Sequence, residues 1–467
     1  MVRSAGCASI HEGDCAPWPK LESRIMKRIR LALFLSGSVT QHSLGSWRHP
    51  LSASQHNRSP WDRVPFWLDI ARSAERGGYD LIFFSDSNGM NLGHADRHDD
   101  AVRYAAQAPR LDPLQILPAM AAVTSRIGLA ATQSVLAVPP FVGARAWATL
   151  DHLSGGRAGW NVVAGYLKSE GQNLGYDDLL AHDERYAYAG EYIEVCNRLW
   201  QSWDEDAIVS DTAGSTFADP TKVREINFAG KWFRSRGPAQ VHRSPQGRPL
   251  IIQAGQSPAG RAFGAQNADV IFAICRSAAQ MKSFRDDMRK RAVEAGRDPD
   301  RIKILFGMQP IVGETDEIAR QKAAFHQSLV PLEAGIFYLS GHLGVDLSGE
   351  DPDRPLRAID VPGVQGILDA YADTSGDGAA LTVGEAAQRH AGSVGFPQVV
   401  GSPERVARWM LDMMEEAGGD GFMISPIHLP GSADEFGNLV IPILEREAGR
   451  SALDLAGPTL RERMMEE

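Results

Sequence analysis

Several groups of residues in this chain have types and spacings that can do chemistry. Asp86 closes the run Leu81-Ile82-Phe83-Phe84-Ser85, which puts a carboxylate at the end of an apolar stretch. There it can accept a hydrogen bond from a ligand N–H, or cap a helix or loop. Thr132 and Ser134 end a second apolar run, and Asn161 interrupts Trp160-Asn161-Val162-Val163. Such groups either touch a ligand or satisfy neighbouring backbone and strands. His182 and Tyr186 stand at i and i+4, on one face of a helix start. A neutral imidazole can hydrogen-bond to a ligand or shuttle a proton; a capping His and a core Tyr are the alternatives. Gly255-Gln256-Ser257-Pro258 lies between a strand pattern and a helix pattern, with Arg261 near. Glycine permits close backbone approach, and a hydroxyl beside the first helical N–H groups is suited to an anion such as phosphate. Pro258 fits the first helical turn, where its missing N–H does no harm. His42, Trp47, Arg48 and His49 follow the first apolar run and read as pocket residues or as an ordinary polar loop.

Other chemistries find no footing. His94, Asp96, His98, Asp99 and Asp100 match no known metal-ligand spacing and read as a solvated loop, so no metal site is expected. No Gly-x-Ser-x-Gly elbow, Walker motif or Gly-x-Gly-x-x-Gly after the first strand occurs, so no dinucleotide-binding domain is expected.

The elements that must position these residues alternate. Strand candidates cover 29–35, 80–85, 127–131, 158–163, 249–253, 269–274, 302–306 and 421–425. Helical patterns cover 65–76, 113–124, 141–152, 183–203, 258–266, 278–295, 317–329 and 435–445, with one more at 403–417. Near-continuous apolar strands alternating with helices predict an α/β fold, a (β/α)8 TIM barrel; a doubly wound open sheet is the alternative. Parallel α/β folds place ligands at the C-terminal ends of their strands, where the polar groups above fall. Stretches at about 36–64, 88–112, 204–248 and 330–400 lack barrel periodicity and are expected to be long loop insertions at that face, serving as lids. Within the third, residues 227–233 read as a β-hairpin turning at Ala-Gly.

Composition narrows the class. A net charge of −10 with scattered Lys and Arg makes nucleic acid an unexpected partner. No apolar run reaches the ~18 residues needed to span a bilayer. Cys7, Cys15, Cys196 and Cys275 are few and unpatterned, as in a cytoplasmic enzyme with reduced thiols. Residues 1–28 lack a sustained apolar stretch and are expected to be a disordered extension, not a signal peptide. Residues 29–467 are expected to form one barrel domain.

LDHLSGGRAGWNVV (150–163) resembles the signature of the flavin-dependent monooxygenases related to nitrilotriacetate and dibenzothiophene-sulfone monooxygenases, a branch of the bacterial-luciferase-like superfamily. AERGGYDLIFFSDS (74–87), AHDERYAYAGEYIEV (181–195), LWQSWDEDA (199–207), SPQGRPLIIQAGQSPAGRAF (244–263), VGSPERVA (400–407) and GPTLRERM (457–464) match too, in order. The resemblance implies the oxygenase component of a two-component system. Such a component uses O2 and reduced flavin mononucleotide (FMN) from a separate NAD(P)H:flavin reductase to oxygenate a small organic substrate through a peroxyflavin. It implies FMN contacts at Asp86, Thr132, Ser134, Asn161, His182, Tyr186, Gly255, Gln256 and Ser257, proton handling at His182 and His42, and a homodimer or homotetramer. A deazaflavin-dependent oxidoreductase of the same superfamily and a non-catalytic flavin-binding protein are the alternatives. Two departures bear on the substrate: Ala164-Gly165 stands where relatives carry Thr-Ser, and Thr40-Gln41-His42 offers one His where a pair is common.

Overall fold

Side chains along the eight apolar strands alternate between two buried surroundings. Every second residue faces a barrel interior and the others face a surrounding layer of helices. The computed structural model describes residues 28–52, 60–93, 96–359, 381–448 and 455–466. The barrel strands are β1 (Arg30–Ser36), β2 (Leu81–Ser85), β3 (Gly128–Ser134), β4 (Ala158–Val163), β5 (Leu250–Gln253), β6 (Val270–Ala273), β7 (Lys303–Val312) and β8 (Gly421–Ile424). All pair in parallel, each with its neighbour in sequence, and the pairing of β1 with β8 closes the ring. The closed TIM barrel replaces the open-sheet alternative.

Ala32, Phe34, Leu81, Phe83, Ala130, Leu250, Ile252, Val270, Phe272, Leu305 and Met423 fill the interior. Their neighbours Leu33, Ile82, Leu129, Trp160, Ile251, Ile271, Phe306 and Phe422 pack outward on the helices. Three residues from outside the strands, Leu460, Met464 and Phe396, complete the interior. Leu460, on the C-terminal helix Leu460–Met465, seals the N-terminal end, where a Cβ on Gly128 would meet its side chain at 2.5 Å. Phe396 enters from the other end, its ring 5.4 Å from Phe34 and 5.9 Å from Phe272. Gly307 admits it, since a Cβ there would lie 2.5 Å from the Phe396 ring.

The helices α1 (Val64–Arg76), α2 (Pro113–Ala121), α3 (Pro140–Leu153), α4 (His182–Trp200), α5 (Pro258–Asn267), α6 (Ala278–Glu294) and α7 (Asp316–Ser328) follow β1 to β7. Two strands run further than periodicity suggests. β3 continues through its polar end because Thr132 and Ser134 keep the inward parity and pair with Asn161 and Val163 of β4. β7 outlasts β8 because its upper half, Gln309 to Val312, pairs with a short extra strand, Gln398–Gly401. The helix expected at 435–445 is two, Gly431–Leu439 and Ile441–Ala448. Pro442 explains the break, since its ring excludes a continuous turn from the preceding carbonyls.

The insertions expected after β1, β2, β4 and β7 are present. The third holds two hairpins, Ile208–Asp211 with Thr216–Ala218 and Phe228–Ala229 with Arg234–Ser235; the second is the one the sequence predicts. The fourth, read from sequence as helical fragments, contains α8 (Leu332–Leu343) and α9 (Val383–Ser393), joined through Leu339, Leu343, Val383, Ala386 and Ala387. Most of the expected N-terminal extension, with Cys7 and Cys15, lies outside the described residues, as does His94. Arg28 belongs to the fold, buried and paired with Asp80. Cys196 and Cys275 are free and buried. Among the described residues no helix is long and apolar enough to cross a membrane.

Candidate active site

The polar strand ends fall on one arc of the barrel mouth, because β1 to β5 are consecutive neighbours and inward parity aims their last residues at the axis. Thr132 and Asn161 lie opposite each other in register, and the Asn161 amide donates to Thr132 Oγ1 at 2.9 Å. The amide oxygen of Asn161 is buried and meets no partner. A buried carbonyl left this way costs about 1–3 kcal/mol unless something else donates to it. Ser134 is buried, and its hydroxyl accepts from the N–H of Leu136 at 3.3 Å, so it also braces its own loop.

At the β1 and β2 ends, Ser85 Oγ lies 3.4 Å from His42 Nε2, and the His42 ring stacks on Phe34 at 4.3 Å. Burial, aided by the nearby Arg110 guanidinium, lowers the His42 pKa to about 3. The imidazole is therefore neutral at ordinary pH, and its proton handling is confined to the neutral ring. Asp86 follows, with Arg110 Nη1 at 3.6 Å. Burial outweighs that guanidinium and raises the Asp86 pKa to about 6. Arg110 itself is held by Gln107 at 2.7 Å and Ser87 at 3.3 Å, with its Nε buried and unpartnered.

The β4 and β5 ends bring the remaining candidates together. His182 is the first residue of α4, half-exposed, with Nδ1 at 2.8 Å from Asp183 and its ring edge-on to Tyr186 at 5.3 Å. Tyr186 reaches over the loop after β5: a Cβ on Gly255 would lie 2.6 Å from its hydroxyl, and one on Gly260 2.7 Å. The glycines are required by that approach. Ser257 caps α5, accepting from the N–H of Gly260 at 3.2 Å. Gln253, on the outward parity of β5, has a buried Oε1 without a partner.

Three expected contributions are redirected in whole or in part. The Gln256 side chain accepts from the N–H of Ile274 at 2.7 Å and bridges to the loop after β6. Arg261 Nε donates to the Gln256 carbonyl at 2.8 Å and so braces the serine loop, while its Nη1 pairs with Asp287 at 2.9 Å and the guanidinium lies over the Phe284 ring, tying α5 to α6. Arg48 donates to the Leu329 carbonyl at 2.7 Å on the exposed side of its turn.

Sequence reading missed Arg110 and Gln253 altogether, and it had no signal for His428 or His326. His49 stacks on His428 at 3.9 Å and on His326 at 5.1 Å. These rings come from the β1 loop, the loop after β8 and α7, and only folding brings them together. His49 and His428 are nearly parallel, at 12°, and His326 is tilted 41° to His428. Among the described residues no His, Cys, Asp and Glu group is arranged to hold a metal.

The sequence pattern that defines luciferase-like monooxygenases matches residues 39–421. The chain is 38% identical over 447 residues to a dibenzothiophene-sulfone monooxygenase of Rhodococcus erythropolis, covering 94% of this chain and 96% of that one. It is 36% identical over 430 residues to nitrilotriacetate monooxygenase component A of Aminobacter aminovorans, covering 90% and 93%. Its fold superposes with a TM-score of 0.83 on the crystal structure of a riboflavin lyase with modified FMN and riboflavin, at 34% identity and 94% and 96% coverage. A closed barrel with its polar groups gathered at the C-terminal mouth, and relatives this close along nearly the whole chain, lead to one conclusion: the protein belongs to the luciferase-like monooxygenases, a family of oxygenating enzymes.

Proposed function

We propose that this chain is the oxygenase component of a two-component FMN-dependent monooxygenase, acting on a small organic substrate. The observation that carries the reading is the buried, unpartnered amide oxygen of Asn161 at the centre of the polar arc. It needs a donor, and a flavin ring N–H is one. The other features fit the same group. Gly255 lets the Tyr186 hydroxyl close over the loop after β5, and the Ser257 cap with the first turn of α5 suits a phosphate. Reduced FMN would supply the electrons that activate O2.

The remaining work falls to this chain. Asn161, Thr132 and Ser134 orient the ring system, Asp86 and Arg110 set the charge at one edge, and Tyr186 with Gly255 to Ser257 holds the phosphate side. His182, half-exposed at the rim, is placed to pass a proton between substrate and solvent. The neutral His42 holds one at Ser85. The insertions after β1, β2, β4 and β7 exclude water, which preserves reactive oxygen species for substrate. The relative named as a component A supports a separate NAD(P)H:flavin reductase as the electron source.

The test is stopped-flow mixing of the protein and chemically reduced FMN with oxygenated buffer. Oxidised flavin appearing later than in free solution supports a shielded oxygenase site. Reoxidation at the free-flavin rate, together with no FMN binding by fluorescence titration, overturns the reading. A parallel titration with a deazaflavin separates the hydride-transfer alternative.

A further inference from the structure

The end of the barrel opposite the polar mouth carries a basic basin. It is a cleft of about 260 Å³ lined by Arg248, Asp269, Arg297, Asp298, Arg301, Arg461 and Met465. Its place follows from the chain: Arg248 precedes β5, Asp269 precedes β6, Arg297 to Arg301 precede β7, and Arg461 stands on the C-terminal helix that seals this end. Four guanidinium groups face two carboxylates, so the basin holds an excess of two positive charges.

Those carboxylates are already committed. Asp269 receives Arg248 at 2.9 Å and Arg461 at 3.4 Å, and its other duty is the N–H of Ile251. Asp298 accepts from the N–H of Asp300 at 2.9 Å to cap a short turn. Arg297 donates to the Ala265 carbonyl at 2.8 Å, and among the described residues it forms no ion pair. Among the described residues Arg301 forms no ion pair. Arg461 donates to the carbonyls of Arg248 and Pro249, and its Nε is buried without a partner. Like charges collected around a recess, with an unsatisfied buried donor, are unfavourable unless an anion joins them.

We propose that this basin is an anion site that takes a tetrahedral oxyanion, either inorganic phosphate or the phosphate of a small organic monoester. Planar guanidinium groups bind such oxygens in pairs, and a cleft of this size accommodates the ion with a few carbons attached. The site lies across the barrel from the cofactor arc, and the inference does not rest on the cofactor reading.

Calorimetric titration of the full-length protein with inorganic phosphate, against chloride at matched ionic strength, tests it. A saturable site that the variants weaken is expected: R297A/R301A should reduce its affinity by about tenfold or more, because each guanidinium lost removes charge-assisted hydrogen bonds, whereas any phosphate held at the Ser257 loop would be untouched. The single variant Arg301→Glu should do the same while folding normally, because Arg301 holds nothing in place. Tighter binding of glycerol 3-phosphate would identify a monoester as the natural ligand, and equal or weaker binding the free ion. Either result supports the site. Phosphate behaving as chloride does, or binding unchanged in both variants, which would put the ion at the mouth, overturns it.

Discussion

Asp86 and His182 carry the sharpest residue-level expectations. The Asp86 carboxyl keeps its proton up to about pH 6, whereas the ordinary group loses it near 3.8. Between those values the unfolded chain has released a proton that the folded chain retains, so rising pH costs stability in that window. Asp86→Asn should remove this contribution, up to about 3 kcal/mol between pH 4 and 7, as read from urea unfolding at several pH values. If Asp86 touches the cofactor, FMN affinity should step near pH 6 and lose that step in the same variant. His182→Ala should leave the fold intact, since the side chain is half-exposed and its contact is with its neighbour Asp183 and the edge of Tyr186. It should raise peroxide released per reduced FMN consumed at the expense of product. Coupling equal to the parent would remove His182 from proton handling.

At the scale of elements, two positions show how the strands and turns are locked. Arg157, from the Ser154-Gly155-Gly156-Arg157 turn before β4, is buried and donates to the carbonyls of Ala121, Thr124, Ile127 and Ser154 and to the Thr124 hydroxyl. It ties α2, β3 and α3 together below the site. Arg157→Met strands several buried carbonyls and should cost about 3 kcal/mol or more, measurable as a lower denaturant midpoint. Gly307→Ala tests the upper end. The added methyl collides with Phe396, and overpacking of this kind costs about 1–3 kcal/mol. The penalty should shrink in Gly307→Ala/Phe396→Leu, and additive losses would show that the two do not meet.

The whole molecule should respond steeply to acid. Burial lowers the pKa of His42 and His428 to about 3, of His326 and His342 to about 4, and of His390 well below the ordinary value. A depressed imidazole pKa means that below about pH 6.5 the unfolded chain binds protons that the folded chain refuses. Stability is then lost as pH falls. Each group contributes up to ~1.4 kcal/mol per pH unit, and together they outweigh the opposite contribution of Asp86. Thermal unfolding should move sharply downward between pH 7 and 5; a flat profile would mean that these histidines are solvated. Binding at the mouth works in the other direction. FMN at a hundred times its dissociation constant should add about 2.7 kcal/mol and raise the unfolding temperature.

Periodicity alone located the eight strands and most of the surrounding helices, because burial on both faces forces near-continuous apolar runs separated by helical spacing. The local motifs also placed Asp86, Thr132, Ser134 and the Gly255 to Ser257 loop beyond apolar runs, Asn161 within one, and Tyr186 in the first turns of a helix. Tertiary structure decided what those residues do. Gln256 and Arg261 turn to Ile274 and Asp287, partners that only the packing of β6 and α6 brings near. Arg110 reaches Asp86 from the far end of the insertion that follows β2, the stack of His49, His326 and His428 joins three distant segments, and the basic basin collects residues from four. A sequence records spacing along the chain, whereas the charge of a carboxyl or an imidazole is set by its neighbours in space.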